Sequence, residues 1–106
     1  MLRLLIAIIL TAGAPPQRPS ANPLHRITQI GKQFSAANIR ISAGDSIVFI
    51  NSDAVMHNVF STSAGFKFNL KSQKPGTSRV VPFTHRGTAT VRCAFHPTMR
   101  LTVVVE

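Results

Sequence analysis

In the stretch Asn38-Ile39-Arg40-Ile41-Ser42 apolar and polar residues alternate, so both isoleucines fall on one face of an extended chain. Short runs rich in Ile, Val, Phe and Thr recur along the sequence between Gly, Pro, Asn and Asp. That habit predicts strands over residues 24–30, 38–42, 46–51, 57–62, 77–83, 88–93 and 100–106. In the last of these Leu101, Val103 and Val105 share a face, and Val104 on the other side predicts burial on more than one face. Ala43-Gly44-Asp45 and Pro75-Gly76 supply turns. Residues 63–76 carry the weakest pattern and read as a crossing loop, with Phe66, Phe68 and Leu70 alternating as one short strand inside it. No stretch shows helical periodicity and none repeats. The expected class is all-β, a sandwich or barrel.

The N-terminus departs from this pattern. Arg3, the apolar run Leu4 to Leu10 and the small residues Thr11-Ala12-Gly13-Ala14 have the order of an export signal, with cleavage expected near Ala14 or Ala21. The run is far shorter than the roughly 20 apolar residues of a membrane-spanning helix, so no stable membrane insertion is expected once the signal is removed. The following PPQRPSANP reads as an extended linker. Residues 1–21 are therefore set apart as signal and linker, and 22–106 as one domain, with a periplasmic or secreted location. A domain so small is marginal unless a disulfide, a metal or exceptional packing assists it, and a single cysteine cannot form an internal disulfide.

Charge narrows the partners. The net charge is +9, with only Asp45, Asp53 and Glu106 opposing twelve Lys and Arg residues. The cations are scattered singly through the strands, without a basic run and without Tyr or Trp for base stacking, which argues against nucleic acid. A solvated basic face that steers toward acidic partners is the reading retained.

The chemistry lies in "CAFHPTM". Cys93-x-x-His96-x-x-Met99 puts a thiolate, an imidazole and a thioether on one short connection between two strands. These are soft or borderline donors, and two imidazoles with a thiolate and a weak axial thioether form the blue-copper arrangement. The missing imidazole is assigned to His57, which follows the strand 46–51 and the Ser52-Asp53 turn; loops of non-adjacent strands meet at one end of a sandwich. His25 and His85 lack that placement and are read as surface residues or outer supports.

"GDSIVFINSDAVMHNVFS" followed by "TVRCAFHPTMRLTVVV" resembles the cupredoxins, the plastocyanin-like blue-copper proteins, and among them the amicyanin and pseudoazurin type. The resemblance spans residues 24–106. It implies a single antiparallel Greek-key β-sandwich of about seven to eight strands. One copper ion would be held by His57, Cys93, His96 and Met99, cycling between Cu(I) and Cu(II). It also implies that Asn58 ties the two ligand loops together. The hydroxyl residue usual after the cysteine is Ala94 here, and the proline expected two residues after it is Phe95. The Phe95 N–H is thus free to donate to the Cys93 sulfur, and Pro97 stiffens the loop beside His96.

Three alternatives compete with electron transfer. Zinc fits poorly, because a thioether is a weak zinc ligand. A Cys93–His nucleophile pair would make an enzyme but requires a thiol open to substrate. Carriage of Cu(I), with handover to a partner, uses the same ligands. The reading adopted is an exported, monomeric electron carrier without enzymatic activity, serving redox proteins with acidic docking surfaces such as a cytochrome or a dehydrogenase.

Overall fold

Every strand predicted from the alternation forms, the short one inside residues 63–76 among them, and one more joins them. The computed structural model describes residues 3–6 and 23–106; the expected signal and linker lie largely outside the described residues. The strands are β1 (Leu24–Ile30), β2 (Gln33–Phe34), β3 (Asn38–Ile41), β4 (Ser46–Asn51), β5 (His57–Ser61), β6 (Phe68–Gln73), β7 (Ser78–Pro82), β8 (Gly87–Arg92) and β9 (Arg100–Val105). The described residues contain no helix. β6 is the strand expected within the crossing loop, but it leaves out Phe66, starts at Phe68 and runs on to Gln73. β2 is the return arm of a two-residue hairpin at Gly31-Lys32, both in the left-handed region (φ 61° and 57°), which suits the twist of such a turn.

Two sheets face each other, in the orders β2-β1-β4-β7 and β3-β9-β8-β5-β6. The sandwich is mixed, not purely antiparallel: β1 lies parallel to β4 and β3 parallel to β9. The reason is the path of the chain, which leaves β1 through β2, crosses to the other sheet as β3, and returns as β4. A parallel neighbour requires such a crossover, whereas a hairpin makes an antiparallel one. β9 sits between β3 and β8, with Leu101, Val103 and Val105 buried and Thr102 and Val104 half-buried.

Inward side chains of both sheets make the core, with Ile27, Ile47 and Phe49 against Val59, Ala89, Val91, Leu101 and Val103. The Phe49 ring lies 6.3 Å from Phe34 and 6.4 Å from Phe68 between centroids. Toward one end the inward positions change character. Ile27 gives way to Gln29 along β1 and Phe49 to Asn51 along β4, and these two are register partners. On the opposite sheet Gln73 pairs with His57. All four are buried, so one end of the apolar core is closed by a layer of amides and an imidazole.

Phe49 has no exposed surface. Replacing it with Ala should cost about 3–5 kcal/mol, a large part of the 5–15 kcal/mol of an ordinary domain. Urea unfolding should show this as a lower midpoint with an unchanged slope.

Candidate metal centre

β5 and β8 are antiparallel neighbours, in register at Phe60 and Arg92. The start of one and the end of the other therefore lie at the same end of the sheet, and these positions hold His57 and Cys93. The connection from β8 to β9 then turns back at once, with the Met99 N–H donating to the His96 carbonyl at 2.9 Å. This brings His96 over the pair. One donor atom from each of His57, Cys93 and His96 lies within 4.8 Å of the others. The two Nδ1 atoms are 3.1 Å apart, and Cys93 Sγ is 3.9 Å from His57 Nδ1 and 3.7 Å from His96 Nδ1. Met99 stands near them, buried at 1% exposure.

The donors are held from behind. Cys93, 2% exposed, accepts from the Asn58 N–H at 3.3 Å. The residue after His57 thus supplies a donor to the sulfur that the sequence reading, which looked to the Phe95 N–H, did not assign, and the Phe95 side chain is 51% exposed. Asn58 Oδ1 accepts from the Ala94 N–H at 3.1 Å, while its Nδ2 donates to Asn69 Oδ1 and the Lys71 carbonyl. The link between the two segments therefore uses the backbone of residue 94, and an alanine there suffices. Pro97 is exposed beside the half-buried His96.

His57 carries a support that the sequence reading did not assign. Its Nε2 lies 2.9 Å from Asp53 Oδ2. A carboxylate can only accept, so Nε2 bears the proton and Nδ1 turns its lone pair to the cluster. The same carboxylate accepts from the Lys32 N–H at 2.9 Å and, through Oδ1, from the Ala54 N–H at 3.0 Å. The Lys32 N–H first, and His57 after it, hold the Asp53 carboxyl below its ordinary value of 3.8, at about 2. The spacing of four between Asp53 and His57 was visible in the sequence, but Asp53 there reads only as a turn residue. An outer hydrogen bond that fixes tautomer and ring orientation is the usual companion of a metal-binding imidazole.

His25 and His85 are not brought to the cluster. His25 Nε2 lies 2.9 Å from Asp45 Oδ2 at the opposite end of β4, where the hydrogen bond from His25 holds the Asp45 carboxyl below its usual range. His85 is exposed in the turn between β7 and β8. Two imidazole lone-pair positions and a sulfur converging beside a thioether match a soft or borderline cation, and copper fits this donor set.

Comparison with known proteins agrees. The model of copper binding proteins of the plastocyanin/azurin family matches residues 24–106. The methylamine utilization protein MauL of Methylophilus methylotrophus is 29% identical over 98 residues, covering 88% of this chain and 56% of that relative, so the chain spans little more than half its length. MauL of Methylorubrum extorquens is 28% identical over 102 residues, 95% of this chain and 90% of the relative. Among solved structures, a proline-to-phenylalanine mutant of amicyanin in its reduced state superposes with a TM-score of 0.71 at 29% identity, over 78% of this chain and 82% of that one. A purple cupredoxin from Nitrosopumilus maritimus, 24% identical, shares the fold with a TM-score of 0.69 over 77% of this chain and 99% of its own.

The Asp53 carboxyl has a lower pKa folded than unfolded, so the unfolded chain binds more protons as acid is added. Its contribution to stability is complete above the ordinary value of 3.8 and is lost as pH falls toward about 2. Thermal unfolding of the metal-free chain should therefore show a melting temperature that drops across that window. Asp53→Asn should flatten the drop; an equally steep profile in the variant would dissociate it from this carboxyl.

Proposed function

We propose that this chain, which belongs to the plastocyanin/azurin family of copper-binding proteins, carries single electrons between redox proteins, with copper held by His57, Cys93, His96 and Met99. One observation carries the ligand assignment: two imidazole Nδ1 atoms and a thiolate sulfur converge within 4.8 Å, beside a buried methionine. When bound, copper supplies a one-electron change between Cu(I) and Cu(II).

The residues do the rest. His57 and Cys93 sit at the ends of paired strands and His96 in a turn closed by Met99, so the donors keep their places whichever oxidation state they serve. The Asn58 N–H offsets part of the charge on the Cys93 sulfur, and Asp53 keeps His57 Nδ1 free to ligate. His96 is half-buried and borders the exposed Phe95 and Pro97, which makes its ring edge the route for the electron. Cys93 is 2% exposed, so its thiol is not offered to a substrate; a carrier suits this site and an enzyme does not.

Partner recognition follows from charge. Lys32, Lys74 and Arg100 stand exposed on turns and strand ends at the cluster end, around the apolar Val55, Met56 and Phe95. Two of the three acids are engaged at the other end, Asp45 with His25 and Glu106 with Arg40. The cluster end would therefore steer toward a redox protein with an acidic docking surface, a dehydrogenase or a cytochrome. The relatives named for methylamine utilization favour an amine-oxidising system as the setting, and the signal-like order of the N-terminal residues supports export to the periplasm.

The test is to express residues 22–106, add Cu(II), and record the visible spectrum beside Cys93→Ser. An intense thiolate-to-copper charge-transfer band, absent from the variant, is expected; a colourless protein with a titratable thiol would overturn the ligand assignment. Rapid electron self-exchange without metal loss is the expected sign of a carrier of electrons, whereas ready transfer of Cu(I) to a chelating partner would show carriage of the metal. Electron transfer with an acidic partner should slow as salt is raised.

A further inference from the structure

Asn51 occupies an inward position of β4 where the alternation calls for an apolar residue, and it has no exposed surface. Its side chain is fully engaged. Oδ1 accepts from the Asp53 N–H at 3.0 Å, and Nδ2 donates to the Val55 carbonyl at 2.9 Å and to the Gln73 carbonyl at 2.8 Å. One amide thus grips the 52–56 loop at two points and fastens it to β6 of the opposite sheet. The loop's free choices shrink to the arrangement that lays the Asp53 carboxylate against His57 Nε2.

The anchor on β6 is fixed in turn. Gln73 stands across from His57 in the β5–β6 pair. Its Nε2 donates to the carbonyls of Phe49 at 2.8 Å and Thr77 at 3.0 Å, which leaves Oε1 facing Gln29 Nε2 at 3.0 Å. Gln29 Oε1 is then a buried side-chain atom without a hydrogen-bond partner among the described residues. A buried acceptor without a partner lowers stability, and apolar side chains of similar shape would avoid the loss. The amide layer contributes geometry in return.

We propose that Asn51 is a positioning residue for the metal-binding imidazole, acting through Asp53, with Gln73 and Gln29 as its footing. The role as metal support rests on the ligand assignment made above; the positioning of the ring does not, and it is read without metal. Asn51 holds the loop, the loop holds the carboxylate, and the carboxylate holds the proton on Nε2 so that Nδ1 faces Cys93 and His96.

The experiment uses the full chain, metal-free at a fixed pH of about 8, and reads the His57 tautomer from long-range proton–nitrogen NMR. The unmodified chain should show the Nε2–H form alone. Asp53→Asn and Asn51→Ala should each give a mixture of the two tautomers, and the double variant should resemble the single ones, the non-additivity expected of residues acting in series. Asn51→Thr, which retains strand preference but lacks both amide donors, should behave as Asn51→Ala does and stands in for it if that variant does not fold. An unchanged Nε2–H form in a folded Asn51 variant that merely melts earlier would overturn the proposal, as would additive effects in the double variant. A chain that shows the tautomer shifts yet never a charge-transfer band with Cu(II) would uphold the positioning and sink the copper reading alone.

Discussion

The antiparallel pairing of β5 with β8 is the constraint on which the rest of the site depends. It alone puts the first residue of one strand and the residue just past the other at the same end of one sheet, and those residues are His57 and Cys93. Three electron-rich donor atoms are thereby brought within 4.8 Å of one another, an arrangement that a flexible chain would not keep. The sandwich prevents relaxation in two ways. Core packing of Val59, Val91 and Leu101 fixes the strands, and hydrogen bonds to Asn58, Asp53 and the His96 carbonyl fix the donors upon them. Apolar burial and polar direction have separate tasks here.

What could be read from the chain alone follows the range of each interaction. Strands such as 38–42 and 46–51 announce themselves because the period of two is local. β2 does not, since two residues carry no period, and the parallel pairings of β1 with β4 and β3 with β9 are set by the route between sheets. At the site, the convergence of His57, Cys93, His96 and Met99 was legible because such donors are rarely combined at such spacing. Asp53, Asn51, Gln29 and Gln73 were not, because each is an unremarkable polar residue until the fold makes them neighbours. Nor was the Asn58 N–H legible as a donor to the sulfur: proximity along the chain draws attention to Phe95, whereas the sheet delivers Asn58 from the adjacent strand.

The distribution of charge follows the same division of the molecule into two ends. Asp45 and Glu106 are occupied by His25 and Arg40 beside the turns remote from the cluster, and Asp53 is enclosed by backbone N–H groups and His57. Asp53 is thus the one acid at the end that carries the exposed cations and the apolar surface of Val55, Met56 and Phe95, and its carboxylate is turned to the buried His57. Of the three acids only Glu106 is paired with a permanent cation, Arg40, and Asp45 and Asp53 are held by hydrogen bonds.

The hairpin tip at Gly31-Lys32 has a meaning for handling the protein. Hairpin tips are ordinarily where a tag, a fluorophore or an inserted peptide does least harm. Here the backbone N–H of Lys32, presented by a left-handed turn, is bonded to the carboxylate that orients the buried imidazole. Lengthening this turn would withdraw that N–H from the site. Attachment to an electrode or a label belongs at the exposed turn around His85 and Arg86, at the other end of the sandwich, which leaves the cluster end facing the solution.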